Sequence, residues 1–206
     1  MTPPSDTKSR MLDAAESLFG EQGVDRVSIR DITEAAKVNV ASVNYHFGSK
    51  EELIAAVFER RLAPLNAERL RLLDEIESTA GFGGTPVESI LNAFVRPALR
   101  CCEQNASDHS AFARLLGRCL AETRPEVEAL LKEQFAPVSA RFEKAIMKAC
   151  PHLSRSDVYW RLKFTFGALH HWLLTRDKFT PTWADKTTVD EQVSKLITFA
   201  AAGFRA

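Results

Sequence analysis

The chain has 206 residues, enough for one large domain or two small ones with a real core. Lys plus Arg and Asp plus Glu number 27 each, so bulk charge gives nucleic-acid binding no support. No apolar run reaches the ~18 to 20 residues needed to span a bilayer, and the opening MTPPSDTKSR lacks the apolar centre of a signal peptide, which points to a cytoplasmic protein that does not engage a membrane. Cys101, Cys102, Cys119 and Cys150 show no C-x-x-C pairing and no histidine at zinc-like spacing. They read as reduced thiols in apolar patterns, with no metal site and no cofactor.

Periodicity is helical nearly throughout, so the expected fold class is all-α, with about nine helices. The first helix should run over 5–22, with Met11, Leu12, Ala15, Leu18 and Phe19 on one stripe and Gly23 as its stop. Ser28-x-x-Asp31 has the form of a capping box and opens a second helix with Ile32, Ala35 and Ala36 inward. Val38 and Asn39 make a turn, and Asn39 caps a third helix through His46. Val43 and Phe47 face the core, leaving Ala41, Ser42, Asn44 and Tyr45 outward.

Two short helices over a tight turn, with small and polar groups outward on the second, suit insertion into a DNA major groove. Residues 1–61 carry eight Lys/Arg against ten Asp/Glu, yet no acid stands between Glu34 and Glu51, where Lys37, His46 and Lys50 fall. Repulsion from phosphates is short-ranged in salt, so this local absence of carboxylates matters more than the total.

Gly48 breaks the chain, and Ser49 to Glu52 form a second capping pattern. A long fourth helix follows to about residue 77, kinked at Pro64. The glycine-rich stretch 78–85 separates it from a fifth helix over Ile90, Leu91, Phe94 and Leu99, with Pro97 inside. After a polar turn over 104–109 comes a sixth helix with Phe112, Leu115, Leu116 and Cys119. Thr123-Arg124-Pro125-Glu126 opens a seventh, carrying Phe135, Val138, Phe142 and Ile146. Ser154-x-x-Asp157 starts an eighth whose stretch 158–174 is apolar on nearly every face, as a helix covered both by its own core and by a partner would be. The segment 177–187 is a loop, and Thr188-x-x-Glu191 caps a ninth helix.

The runs LDAAESLFGEQG, VSIRDITEAAKV and above all NVASVNYHFGSKEELIAAV resemble the N-terminal domain of the TetR family of transcriptional repressors. The resemblance implies a three-helix helix-turn-helix DNA-binding domain over 1–50, joined by the long helix at about 50–77 to a helical effector-binding and dimerisation domain over 51–206. It implies a homodimer on a near-palindromic double-stranded operator, released when a small-molecule effector binds. By resemblance Ser28 caps and touches a phosphate, Arg30 reaches a base or a phosphate, and Val40, Ala41, Ser42 and Asn44 face the groove. Tyr45, His46 and Lys50 match phosphate-contacting positions. Hydroxyl, phenol and ammonium donors suit phosphates, whereas Ser42 and Asn44 suit base edges. The commonest family pattern has an aromatic residue where Asn44 stands, which favours base reading by Asn44.

The runs FARLLGRCLAE, VYWRLKFTFGAL and FAAAGFRA resemble a subgroup that includes fatty-acid-responsive regulators, which suggests a fatty acid or acyl-CoA effector. Phe94, Phe112, Leu116, Phe135, Phe142, Trp160 and Phe164 are the candidate lining of an apolar cavity, with Arg114 and Arg118 for an anionic head group. The competing reading puts these aromatics in the core and pairs Arg118 with Glu122 at i+4. Phe166, Leu169, Leu173, Leu196 and Ala200 are the candidate dimer interface. Two other function classes stay open: an adaptor that has lost operator binding, and a helical enzyme using His170 and His171. No catalytic motif accompanies those histidines, which point to different helix faces, so no catalytic residue is assigned.

Overall fold

A computed structural model describes residues 4–81, 84–104, 106–121, 125–175 and 187–206, with backbone alone described at 4–5, 100–104, 106–110 and 121. Helix is the only regular structure among these residues, and nine helices follow one another: α1 (Pro4–Gln22), α2 (Ile29–Ala35), α3 (Val40–Phe47), α4 (Lys50–Thr79), α5 (Val87–Gln104), α6 (Ala106–Ala121), α7 (Pro125–Ala149), α8 (Arg155–Thr175) and α9 (Val189–Arg205). The all-α class and the helix order are as the periodicity implies. The expected polar turn over 104–109 is largely helical, since α5 reaches Gln104 and α6 begins at Ala106. Its polar composition resembles a turn, but alanine and an early aspartate also suit a first helical turn. All but the last residue of the expected loop over 177–187, the opening residues Thr123 and Arg124, and the side chains of Cys101 and Cys102 lie outside the described residues. Cys119 and Cys150 are buried and form no disulfide. No described helix is long and apolar enough to cross a membrane.

Contacts divide the chain into two compact units, each discontinuous in sequence: residues 1–64 with 105–134, and residues 65–104 with 135–206. The first therefore takes in α6 and the front of α7, which the sequence assigns to the effector domain. Both helices that run from one unit into the other carry a proline near the crossing, Pro64 in α4 and Pro137 in α7. Each proline withholds a backbone donor from the turn before it. Helix α4 nonetheless continues through Pro64 to Thr79.

In the first unit Met11, Ala15 and Phe19 of α1 are buried, as are Ile32, Val43, Leu53, Val57 and Phe58. At Gly20 the backbone of α6 comes close to α1: a Cβ there would stand 2.5 Å from the Ala111 carbonyl oxygen, so only glycine fits. Phe58 and Phe112 meet edge-on at 5.7 Å, and Arg118 Nη2 donates to the Glu21 carbonyl at 3.0 Å, capping the end of α1. Glu16, 2 % exposed, takes guanidinium hydrogen bonds from Arg60 at 2.8 Å and from Arg61 at 2.8 and 2.9 Å, and Arg60 also meets Asp13 at 2.6 Å.

The second unit has its own core, where Leu73, Leu91, Phe94, Phe142, Ile146, Val158, Leu169, Ile197 and Phe204 are buried together. Phe94 and Phe142 meet edge-on at 5.2 Å. Arg69 is buried there, its Nε donating to the Phe94 carbonyl at 2.9 Å and its guanidinium lying 4.3 Å from the Phe94 ring centroid. Arg141 pairs with Asp74 and Glu77, and Arg96 with Asp190.

Three helices begin at reciprocal capping boxes: Ser28 with Asp31, Ser154 with Asp157, and Thr188 with Glu191. The cap's backbone N–H and hydroxyl hold all three carboxyls below their ordinary values; the backbone bond leads at Asp31 and Glu191, the hydroxyl at Asp157. Because the folded values are depressed, the stabilisation is present above the unfolded pKa and is lost as pH falls through the folded one. Stability should therefore fall with pH below the ordinary 3.8 of the aspartates and 4.5 of the glutamate. The triple variant Asp31→Asn, Asp157→Asn, Glu191→Gln should be less stable at neutral pH and show a flatter acid limb in thermal unfolding. An acid limb as steep as in the parent chain would put the dependence elsewhere.

Candidate nucleic-acid interface

The local sequence builds the α2–α3 segment through hydrogen bonds that span only a few residues. At the N-cap of α2, Asp31 N–H donates to Ser28 Oγ at 3.2 Å, while Ser28 N and Oγ both reach Asp31 Oδ2 at 2.7 Å. The Ser28 hydroxyl proton is thus committed to Asp31, and a phosphate at this cap would have to compete for it. Helix α2 ends in a Schellman arrangement: Lys37 N–H donates to the Glu34 carbonyl at 3.1 Å and Val38 N–H to the Thr33 carbonyl at 2.9 Å. Lys37 occupies the left-handed position of that motif at φ 55°, a conformation the sequence did not announce. Arg10 of α1 braces the same end, its Nη1 donating to the Ala36 carbonyl at 3.2 Å. Asn39 Oδ1 then accepts from Ala41 N–H at 2.9 Å and starts α3.

Helix α3 buries Val43 and Phe47 and turns its other face outward. Ala41, Asn44 and Tyr45 are exposed, as is Val40, and Ser42 is half-buried. Tyr45 is 84 % exposed, its phenol ring carried edge-on against His46 at 5.0 Å. His46 is half-buried, and Arg30 stands exposed on α2. Lys50, at the start of α4, is half-buried with its Nζ donating to the Val24 carbonyl at 2.7 Å, which ties α4 to the loop after α1. Glu52 N–H bonds Ser49 Oγ at 3.1 Å at the same helix start. The residues that the sequence assigns to DNA contact thus lie at the cap of α2, on α2 and α3 and at the start of α4, all in the first unit, and Lys50 also holds structure.

The effector and dimer candidates are placed differently. Phe112, Arg114, Leu116 and Arg118 belong to the first unit, while Phe94, Phe135, Phe142, Trp160 and Phe164 belong to the second. Phe94, Phe142 and Leu116 are buried. Phe135 packs edge-on against Phe166 at 5.7 Å. Arg118 caps α1 rather than standing free for a head group, and its expected partner Glu122 lies outside the described residues. Trp160 and Phe164 are 48 % and 67 % exposed, too open to line a cavity. Conversely, Leu169 and Ala200 are buried in the core of the second unit, with Phe166, Leu173 and Leu196 packed against it. Among the described residues of α8 and α9, the exposed large apolar groups are Tyr159, Trp160 and Phe164 of α8 and Phe199 of α9. A helix apolar all round has no dominant face in its sequence, so which side meets the core cannot be read from periodicity.

Comparison with known proteins bears on this geometry. Residues 11–57 match the family described as bacterial regulatory proteins, tetR family, and residues 92–203 match the tetracyclin repressor-like C-terminal domain. The HTH-type transcriptional repressor Rv3405c of Mycobacterium tuberculosis is 41% identical over 58 residues, 28% of this chain and 31% of that protein. The HTH-type transcriptional regulator AcrR of Shigella flexneri is 34% identical over 82 residues, 40% of this chain and 35% of that one. The chain thus matches about a third of the length of these curated relatives. The fatty acid degradation regulator FadR of Bacillus halodurans superposes with TM-score 0.71 at 18% identity, covering 100% of this chain and 98% of that one. A TetR-family regulator from Bordetella parapertussis does so with TM-score 0.67 at 16% identity, over 94% and 93%. At such identities these likenesses establish the fold. With both halves matched by models of one family, over a helix-turn-helix whose outward face is assembled as described, the chain belongs to the TetR family of bacterial regulatory proteins.

Proposed function

We propose that the chain is a dimeric repressor, acting in the cytoplasm, that binds a near-palindromic double-stranded operator and leaves it when a small apolar or amphipathic effector binds. The observation that carries the DNA-binding part is the outward face of α3, with Val40, Ala41, Asn44 and Tyr45 exposed on a capped helix inside a carboxylate-free window. Ser28, Tyr45, His46 and Lys50 act on phosphates, Arg30 on a base or a phosphate, and Ser42 and Asn44 on base edges. The 1–50 segment is the functional DNA-binding part, and 51–206 supplies control and pairing. Two such heads in a symmetric dimer present recognition helices about one DNA turn apart, ~34 to 36 Å, or further. The exposed aromatics Trp160, Phe164 and Phe199 support pairing through α8 and α9 better than the buried Leu169 does.

An effector acts only through different affinities for the operator-competent and incompetent states. Phe94, Phe135 and Phe142 of the second unit are the effector contacts that fit this reading, and the FadR likeness makes fatty acids and acyl-CoA the classes to try first. The test is selection of duplexes from a randomised pool by the purified chain, followed by release with palmitate or palmitoyl-CoA. Tyr45→Ala should weaken binding to all duplexes about equally and leave the salt slope nearly unchanged, because a neutral phenol displaces no counterion, whereas Asn44→Ala should relax preference at particular positions by about 1–3 kcal/mol. Equal losses on selected and random duplexes would remove Asn44 as a base reader. Retention of the duplex at saturating lipid would remove that effector class.

A further inference from the structure

We propose that Lys37 is a phosphate-contacting residue of the helix-turn-helix, retained in a backbone conformation that lysine does not favour; this rests on the DNA-binding reading above. Lys37 adopts φ 55° at the C-terminal turn of α2, where a side chain crowds the following carbonyl and glycine is free of strain. Two backbone bonds, from Lys37 N–H and Val38 N–H, hold that turn, and α3 begins three residues on at Val40. Backbone strain at such a place asks what the side chain supplies.

The neighbouring charges answer it. Three basic groups fall in the carboxylate-free window. The ammonium of Lys50 is bound to the Val24 carbonyl, and His46 is half-buried against Tyr45. Lys37 is exposed, and no ion pair involves it among the described residues. Asp13 lines the same groove as Lys37 but is paired with Arg60 at 2.6 Å. Lys37 is therefore the window's exposed permanent cation, carried on a rigid turn directly before the recognition helix. A compact, strongly hydrated ammonium suits a phosphate as a point charge and needs no exact bidentate fit.

The experiment compares the parent chain with Lys37→Gly and Lys37→Arg on a duplex enriched by the parent from a randomised pool. Affinity is measured by fluorescence anisotropy between about 50 and 200 mM salt. Lys37→Gly should unfold about 2 °C higher, because the strain is gone. It should nevertheless bind on the order of tenfold to a hundredfold more weakly near 0.1 M salt, with the salt slope reduced by about 1.8 for the two lysines of a dimer. Lys37→Arg should keep both affinity and slope. An unchanged slope in Lys37→Gly overturns the proposal, as does an equal loss in Lys37→Arg, which would place the effect in the backbone. A parent chain that enriches no duplex takes the proposal down together with the DNA-binding reading, whereas normal binding by parent and Lys37→Gly alike removes this contact alone.

Discussion

Glu16→Ala should lower the stability of the chain by about 3 kcal/mol, the low end of the range for breaking a buried ion pair. The Glu16 side chain is 3 % exposed, whereas those of Arg60 and Arg61 are 25 % and 21 % exposed. Removing the carboxylate leaves two guanidiniums facing each other's charge in the seam between α1 and α4, with Asp13 still beside Arg60. Their partial route to water keeps the cost from the upper end. For a chain of this size the unfolding midpoint should fall by about 6–12 °C, taking 2–4 °C per kcal/mol. Glu16→Gln preserves shape and one acceptor oxygen but loses the charge and turns an NH2 donor toward the guanidiniums, so it should recover only part of the loss. A midpoint shift under about 2 °C for Glu16→Ala would show that the pair merely breaks even against solvation. The seam also fixes α1, and with it the helix-turn-helix core, against the helix that begins at Lys50, so loss of DNA retardation should accompany the loss of stability.

A second contrast separates the core of the second unit from its outer face. Leu169→Glu places a carboxylate at a position 1 % exposed and should cost about 4 kcal/mol or more, giving a poorly folded chain. Phe164→Glu with Phe199→Glu alters positions 67 % and 75 % exposed, so the protomer should stay helical by circular dichroism. If these rings form the dimer face, each phenylalanine withdrawn from the interface forfeits about 1.5–3 kcal/mol, and symmetry doubles the count. Dimer affinity should then weaken by more than about a thousandfold, counting ~1.4 kcal/mol per decade, and monomer should appear in sedimentation. An unchanged sedimentation profile in the double variant would move the interface off this face.

What was legible from the residues alone was whatever depends on neighbours three or four positions away. The caps at Ser28, Asn39, Ser154 and Thr188 rest on such short-range bonds, and all four appear. The inward pair Val43 and Phe47 and the outward Asn44 and Tyr45 follow from helical period once Asn39 starts the helix. The glycine at the end of α1 was equally local, since Gly23 takes φ 87°. The helix-turn-helix was readable because nearly all of it is built this way.

Tertiary structure decided everything that needed a partner distant in the chain. Glu16 is an ordinary surface glutamate by sequence until Arg60 and Arg61, some 44 and 45 positions later, enclose it. Arg118 has an i+4 glutamate to suggest a local pair, yet its guanidinium reaches back to Glu21. Gly20 looks like a weak point in a helix until the α6 backbone is laid against it. The eighth helix shows the limit most clearly. Its sequence states that it is apolar, and only the packing of the second unit decides that Leu169 is inside and that Phe164 is outside. Helical period specifies which side turns inward only when opposite faces differ in polarity, and here they do not. The sequence by itself thus determined the helices, their caps and which residues of α3 face outward, because short-range hydrogen bonds and period carry that information. Packing alone decided that α6 belongs to the first unit and which aromatic rings of α8 and α9 stay exposed.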